Sequence, residues 1–257
     1  MDYDALLDLV TEVGFRLELS GAEIYRVEES VTRLLAAYGI PTGEVFAIPN
    51  CLTVSLSTPK GHAMTRVRRI PHHGTDLYRI EALNSLCRKL CSETPDFSDA
   101  RKALDELWHT APKYPLWVLL CAYFIGAGFF SLFWGGNWQD GLCGGICGVA
   151  IGLCLTFFNR LGANLFFKTL AGGAASAVLA LLFTTLGLGK NVDFITIGAL
   201  MILVPGVAMT NAIRDIMEGD LISGIAKLGE ALLVAAAIAL GTGLALTFSQ
   251  WWGGGML

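Results

Sequence analysis

The chain has 257 residues, of which 54% are hydrophobic and 16% charged, and its formal net charge is −4. This mildly acidic balance argues against a nucleic-acid partner and against a polybasic surface for acidic lipids. The hydrophobic residues are concentrated after residue 114. Composition therefore predicts a polar front domain followed by a membrane domain.

The front domain, residues 1–114, is predicted to be a small α+β fold of four helices around a short antiparallel sheet. Apolar residues recur at helical spacing along its first two helices, and apolar and polar residues alternate along its strands. The predicted helices are 6–17, 24–38, 75–91 and 98–108, and the predicted strands are 51–58 and 62–70. Ser20 and Glu23 are predicted to form a capping box at the start of the second helix.

Residues 115–257 contain five apolar stretches, each close to the roughly 20 residues that a helix needs to cross about 30 Å of hydrocarbon. The predicted spans are 115–134, 141–158, 165–187, 194–213 and 228–248. The fold class is therefore predicted to be an α-helical membrane protein, with a small cytoplasmic α+β domain followed by a bundle of five transmembrane helices.

Basic residues next to the spans predict the orientation. One side would carry a single basic residue, Lys190, and the other side five: Lys113, Arg160, Lys168, Arg214 and Lys227. Basic loops favour the cytoplasmic side. We therefore expect a multi-pass protein of the cytoplasmic (inner) membrane, with the N-terminus in the cytoplasm and the C-terminus outside.

The fourth predicted span contains a helix break. Pro205 removes a backbone donor and Gly206 loosens the helix, about two turns before the cytoplasmic end. The N–H groups of a half-helix that starts at such a break can face an anion. The break therefore marks a candidate binding site.

Polar residues that follow the break could bind a small zwitterion or a dicarboxylate. Arg214 or Lys227 would hold a carboxylate, and Asn211 and Thr210 would orient the molecule. The predicted substrate-binding residues are Pro205, Gly206, Thr210, Asn211, Arg214 and Lys227. Charges at a membrane boundary often only set topology, and this remains the alternative interpretation.

Two carboxylates near this boundary are candidates for proton coupling. Asp215 shares a helix face with Asn211 and Arg214, and Glu230 lies about one turn deeper in the last span. A partly desolvated carboxylate responds to burial and to bound charge. Either residue could instead bind the amine of a zwitterion.

Four residues at the start of the second helix, Glu23, Tyr25, Arg26 and Glu28, form a further polar cluster. They could form a docking or gating surface, or only pair with one another along the helix. The chain shows no hydrolase, kinase or metalloprotease motif. Its seven cysteines carry no histidine or carboxylate at ligand spacing. We expect no catalytic site, no metal and no cofactor.

Two segments resemble the threonine/serine exporter family. They are residues 20–29, SGAEIYRVEE, and residues 204–215, VPGVAMTNAIRD, continued by 218–224, EGDLISG. The resemblance covers nearly the whole chain and corresponds to the family's N-terminal half. Single-chain members have about ten spans, so a five-span chain is similar to the larger subunit of the split two-component arrangement.

The resemblance implies a function and a partner. The split type is associated with succinate export and the fused type with threonine and serine export, energised by the proton gradient. A second small integral membrane subunit, or a homo-oligomer, would supply the missing half within the lipid bilayer. The alternatives are a membrane-anchored regulatory or hydrolytic cytoplasmic domain and a passive pore.

Overall fold

The computed structural model describes residues 1–72 and 74–252, with only the backbone for Gln250 and Trp252. Residues 253–257, the end of the predicted membrane domain, lie outside the described part. The chain divides into two compact units. The α+β unit consists of Met1–Pro112 and Val207–Gly229, and the helical unit consists of Lys113–Gly206 and the residues from Glu230 onward.

The α+β unit contains the predicted four helices and a three-stranded antiparallel sheet. The helices are α1 (Tyr3–Leu19), α2 (Ile24–Ala37), α3 (Leu77–Glu93) and α4 (Phe97–Thr110). The strands, in the order β1-β2-β3, are β1 (Glu44–Ile48), β2 (Cys51–Ser57) and β3 (Ala63–Arg69). The predicted hairpin of β2 and β3 is confirmed, whereas β1 was not predicted.

The core of this unit is formed by helices α1 to α4 and one face of the sheet. Val10 and Leu17 of α1 and Val27 of α2 are fully buried. Along β2, Leu52 and Val54 are buried as the alternating pattern predicts. Burial of such side chains stabilises the fold by about 1.5–3 kcal/mol each.

The predicted capping box is wrong. Ser20 ends α1, and its hydroxyl donates to the carbonyl of Arg16 at 2.8 Å. Helix α2 begins at Ile24, and its N-cap residue Glu23 makes no side-chain capping bond. The local pattern was misread because the turn between α1 and α2 uses its first polar residue to close the preceding helix.

The helical unit contains α5 (Leu116–Phe133), α6 (Trp138–Arg160), α7 (Leu165–Thr185) and α8 (Val192–Leu200), with the later part of α10 (Leu221–Trp252). In the described chain, four helices are long and apolar enough to cross a membrane: α5, α6, α7 and residues Leu221–Ser249 of α10. The predicted count of five is not confirmed, because residues 194–213 do not form one continuous helix. They are divided between α8, which has nine residues, and α9 (Gly206–Glu218).

Small residues allow the helices of this unit to approach closely. A Cβ atom at Gly144 of α6 would lie 2.0 Å from Ser131 Oγ of α5, and one at Gly198 of α8 would lie 2.1 Å from the same atom. In lipid, such close backbone approach supplies the dispersion contacts that hold helices together. Gly144 of α6 is therefore a packing residue.

On α10, the packed face is not the one that carries small residues at regular intervals of four. Ala235, Ala239 and Gly243 are exposed, and a Cβ atom at Gly243 would meet nothing within 4 Å. Gly241 makes the contact instead, since its Cβ atom would lie 2.1 Å from the carbonyl oxygen of Leu170 on α7. Small residues occur on more than one face of α10, so spacing alone did not identify the packed face.

A buried carboxylate holds the loop between α7 and α8. Asp140 is fully buried, and its Oδ1 accepts hydrogen bonds from the backbone N–H groups of Lys190 at 2.6 Å and Asn191 at 3.1 Å. Its Oδ2 accepts from the backbone of Asn137 and from the side chain of Asn191. These donors compensate the cost of burying the charge.

Candidate functional site

The helix break lies where the sequence predicts it. Helix α8 ends at Leu200, and α9 starts at Gly206. In between, the N–H of Leu203 donates to the carbonyl of Leu200 at 2.8 Å, and the N–H of Gly206 donates to the carbonyl of Val204 at 2.8 Å. Pro205 has no N–H to donate, so the helical ladder cannot run through this turn.

Helix α9 carries three predicted site residues to the turn between α1 and α2. Asn211 Nδ2 donates to the carbonyl of Gly21 at 3.3 Å, and Arg214 Nη1 lies 2.5 Å from Glu23 Oε1. Asp215 is fully buried. Their i, i+3, i+4 spacing places them on one side of α9, which is why one short turn can meet all three.

Asp215 acts as the missing cap of α2. Its Oδ1 accepts a hydrogen bond from the backbone N–H of Ile24 at 3.1 Å. A carboxylate at a helix N-terminus satisfies an unpaired donor and interacts favourably with the helix dipole. A residue of α9 thereby does what the predicted Ser20 cap does not.

The first turns of α10 complete the cluster. Lys227 Nζ lies 2.8 Å from Asp215 Oδ2 and 3.5 Å from the carbonyl oxygen of Ala22. The side chains of this ion pair are 12% and 0% exposed. A Cβ atom at Gly224 would lie 2.7 Å from the carbonyl oxygen of Ala212, so α9 and α10 are in close contact here. We call Asn211, Arg214, Asp215 and Lys227, with residues 21–24, the turn cluster.

Sequence reasoning missed Glu18, in the last turn of α1. Glu18 is 2% exposed, and neither of its carboxyl oxygens has a hydrogen-bond partner among the described residues. Burial raises its pKa to about 8, Lys227 lowers the pKa, and Glu28 raises it further. Glu18 follows Leu7, Thr11 and Gly14 on one face of α1 at spacings of four, three and four. The sequence signal that could have identified Glu18 is an acidic residue on a helix face that is otherwise uncharged.

The predicted docking residues do not stay together. Glu23 faces Arg214 and also Arg26, at 3.3 Å. Glu28 accepts a hydrogen bond from the backbone N–H of Ala47 on β1 at 2.7 Å. Burial raises the pKa of Glu28, the Ala47 N–H lowers it, and Asp220 raises it.

Tyr25 and Arg26 line a groove of about 610 Å³ between α2 and α3. The same groove is lined by Arg33, Arg88 and Cys91. Arg33 is engaged by Glu29, whose Oε1 lies 2.5 Å from its guanidinium. Residues that were predicted as one surface therefore face the turn cluster, the sheet and this groove.

Four predicted binding and coupling residues lie outside the turn cluster. Pro205 and Gly206 are at the break, and Thr210 is exposed on α9. Glu230 is exposed on α10, in the helical unit. The structure thus brings four of the eight predicted binding and coupling residues together.

Comparison with known proteins identifies the family. Residues 8–249 match the family model described as a putative threonine/serine exporter. The chain belongs to the threonine/serine exporter family. The resemblance inferred from residues 20–29 and 204–224 is confirmed. The family match and the four long apolar helices of the described chain support a multi-pass membrane protein.

Individual relatives are distant. A probable threonine/serine exporter of Mycobacterium tuberculosis is 25% identical over 91% of this chain and 46% of its own length. A probable succinate transporter subunit of Escherichia coli is 22% identical over 97% of this chain and 95% of its own length. Pheromone-regulated membrane protein 10 of Candida albicans is 24% identical over 91% of this chain and 22% of its own length.

The chain thus spans about half of the mycobacterial relative and about a fifth of the fungal one, but nearly all of the Escherichia coli subunit. No solved structure matches the chain.

Proposed function

We propose that this chain is one subunit of an exporter that moves a small carboxylate-bearing metabolite out of the cell. The substrate class is threonine and serine or a dicarboxylate such as succinate. Transport is coupled to protons and requires a second small membrane subunit or a second copy of the chain. The matched relatives named as a threonine/serine exporter and as a succinate transporter subunit support this substrate class.

The observation that carries the proposal is the helix interruption at Pro205, followed by polar side chains of α9. An interrupted helix leaves backbone groups without helical partners, and transporters use such groups to bind substrate and coupling ions. Helix α9 begins at Gly206 directly after the break, so the break is followed by the backbone N–H groups of a helix N-terminus and by the Thr210 hydroxyl. These groups suit a carboxylate.

We expect the substrate carboxylate to compete with a carboxylate of the protein for the remaining binding residues. Glu23 occupies Arg214 in the way that a substrate carboxylate would, and the carbonyls of Gly21 and Ala22 occupy Asn211 and Lys227. We propose that the turn holds these three side chains until substrate replaces it. Glu23 would then be the gating residue, with Tyr25, Arg26 and Glu28 positioning α2.

Asp215 and Glu230 are the proposed coupling carboxylates. The burial of Asp215 and its ion pair with Lys227 support its role as a coupling carboxylate. We further propose that residues 1–114 lie in the cytoplasm and that the C-terminus lies outside, with the part of residues 194–213 that precedes α9 as a short fifth crossing. An odd number of crossings puts the two termini on opposite sides. Cysteine labelling at Gly135→Cys, between α5 and α6, should succeed from outside; labelling only from inside would contradict this orientation.

Counterflow in proteoliposomes tests the transport function. The full chain, reconstituted with and without its second subunit, would be supplied with labelled threonine, serine and succinate. We expect saturable exchange of one of them and net export that depends on a pH gradient. Flux without exchange that ignores the gradient would indicate a passive pore instead. Glu23→Gln should lower the half-saturating substrate concentration. Glu29→Gln changes an exposed acid that pairs with Arg33, and it serves as the matched control.

A further inference from the structure

Glu18 is a buried acid without hydrogen-bond donors. Its two carboxyl oxygens are inaccessible to solvent and unpartnered among the residues that the structure describes. A buried carboxylate that accepts no hydrogen bond is strongly disfavoured, so the protein holds this group as the neutral acid unless a cation reaches it. Nothing in the fold of α1 requires an acid here, because the neighbouring core positions are filled by Leu17 and Val13.

The groups that face Glu18 come from three elements. Lys227 of α10 acts on it as a cation and Glu28 of α2 as an anion. Lys227 is held by Asp215 of α9, and Asp220, in the link between α9 and α10, interacts with both Glu28 and Lys227. Burial raises the pKa of Asp220 as well. One lysine therefore interacts with several carboxyl groups, and Asp215 has it at hydrogen-bond distance.

The combined effect of burial and of the neighbouring charges is that the Glu18 carboxyl changes its charge near neutral pH. Desolvation raises the pKa of Glu18 to about 8. Acid and carboxylate forms are then both populated over the pH range that a proton-driven exporter experiences. A small change in the position of Lys227 shifts the balance between them.

We propose that Glu18 is a further proton-binding group of the transport cycle, in addition to Asp215 and Glu230, and that its ionisation draws Lys227 away from Asp215. The proposal deepens the proposed function and rests on it for the coupling to export. In the step itself, the O–H bond of the Glu18 carboxyl breaks, the proton passes to water, and the electron pair stays on the carboxylate. Lys227 remains an ammonium throughout and is redistributed between two carboxylates.

Through Asp215, the ionisation of Glu18 affects three helices, α2, α9 and α10. When Lys227 moves toward Glu18, Asp215 loses the cation that it holds at hydrogen-bond distance while still accepting from the N–H of Ile24. The contact of α9 with the start of α2 is then weakened, and Arg214 and Asn211 lie on the same face of α9. Protonation of Glu18 thus favours the closed turn cluster, and its ionisation favours release.

Infrared difference spectroscopy on the full chain in lipid tests proton binding without any transport assay. The protonated carboxyl of Glu18 should give a C=O band that disappears as the pH is raised through about 8. Glu18→Gln should remove the band, and Glu93→Gln, a change of a surface acid on α3, should leave it. Glu18→Leu keeps the site neutral if the glutamine variant does not fold. A spectrum without this band, or a band that survives both Glu18 variants, would overturn the proposal.

The coupling role is tested in proteoliposomes. Glu18→Gln should reduce net export driven by a pH gradient by about tenfold, within the range of typical coupling between sites, while substrate exchange at equal pH persists. Export with an unchanged pH profile would refute the role of Glu18. If the wild-type chain transports none of the offered substrates, the proposed function fails, and the infrared titration still decides whether Glu18 binds a proton.

Discussion

Asp215 Oδ1 lies 3.1 Å from the backbone nitrogen of Ile24, a residue 191 positions earlier in the chain, and caps helix α2. The same carboxylate holds Lys227 through its other oxygen. A single buried side chain of α9 therefore connects the start of α2 to the start of α10. This arrangement makes Asp215 a determinant of stability and supports the proposal that Asp215 takes part in the transport cycle.

Replacing Asp215 should reveal its structural role. Asp215→Ala leaves the Lys227 ammonium, 12% exposed, without its counter-ion and removes the cap of α2. Loss of one partner of a buried pair costs about 3–5 kcal/mol. We expect that loss in the free energy of unfolding, measured by denaturant titration of the full chain in detergent. Asp215→Ala combined with Lys227→Met should recover much of the stability.

The matched control is the exposed pair Asp99 and Lys102 on α4, whose side chains are 66% and 80% exposed. Asp99→Ala should change the free energy of unfolding by less than about 1 kcal/mol. Equal losses at Asp215 and Asp99 would show that the Lys227 pair is not buried in solution.

Glu18→Gln should make stability depend less on pH. The folded pKa of Glu18 is raised from 4.5 to about 8, so folding favours the protonated acid. Its contribution is fully present below pH 4.5 and is lost progressively as the pH rises to about 8. The variant should therefore match the wild type at low pH and be more stable at higher pH, by up to about 1.4 kcal/mol for each unit of the shift. Thermal unfolding over this pH interval measures the difference; parallel curves would contradict the prediction.

Gly198→Ala should disrupt the contact between α8 and α5. The added methyl group would lie 2.1 Å from Ser131 Oγ and 2.4 Å from the backbone nitrogen of Ser131. Because a backbone atom cannot move aside cheaply, we expect a loss of about 1–3 kcal/mol. Gly243→Ala on α10 meets nothing within 4 Å and should be neutral or slightly stabilising. The free energies of unfolding of both variants, measured in the same detergent, test this prediction.

Pro205→Ala tests the helix break. Alanine restores a backbone donor and favours a continuous helix, so the protein should be as stable as the wild type or more so, yet lose transport. Val204→Ala, the adjacent exposed position, should transport normally. Counterflow measures both variants, and full activity of Pro205→Ala would make the break ordinary helix geometry.

The sequence predicted the elements whose side chains follow a clear period. The stripe of Val10 and Leu17, the alternation along β2 and the long apolar helices all appear in the structure. Strand β1 was missed because it is short and buries little, with Ala47 inside and Phe46 58% exposed. Such an edge strand is defined by its pairing with β2 and not by its own pattern.

Local sequence patterns could not predict the polar contacts between residues that are far apart in the chain. The spacing of Asn211, Arg214 and Asp215 indicated a common face, but their partners are backbone and carboxylate groups almost 200 positions earlier. Hydropathy assigned residues 194–213 to one span, although α9 packs with the α+β unit. Glu18 was passed over for the same reason, since its properties depend on Lys227, which arrives from α10.

The α+β unit is assembled from two separated segments, and this sets the order of events during synthesis. Its last component, Val207–Gly229, is translated about 95 residues after Pro112. At roughly 5–20 residues per second, α1 to α4 wait roughly 5–20 s for Asp215 and Lys227. During that interval α5, α6 and α7 leave the ribosome, while α2 still has no cap and Glu18 no nearby cation. The nascent unit stays incomplete until most of the helical unit has already been made.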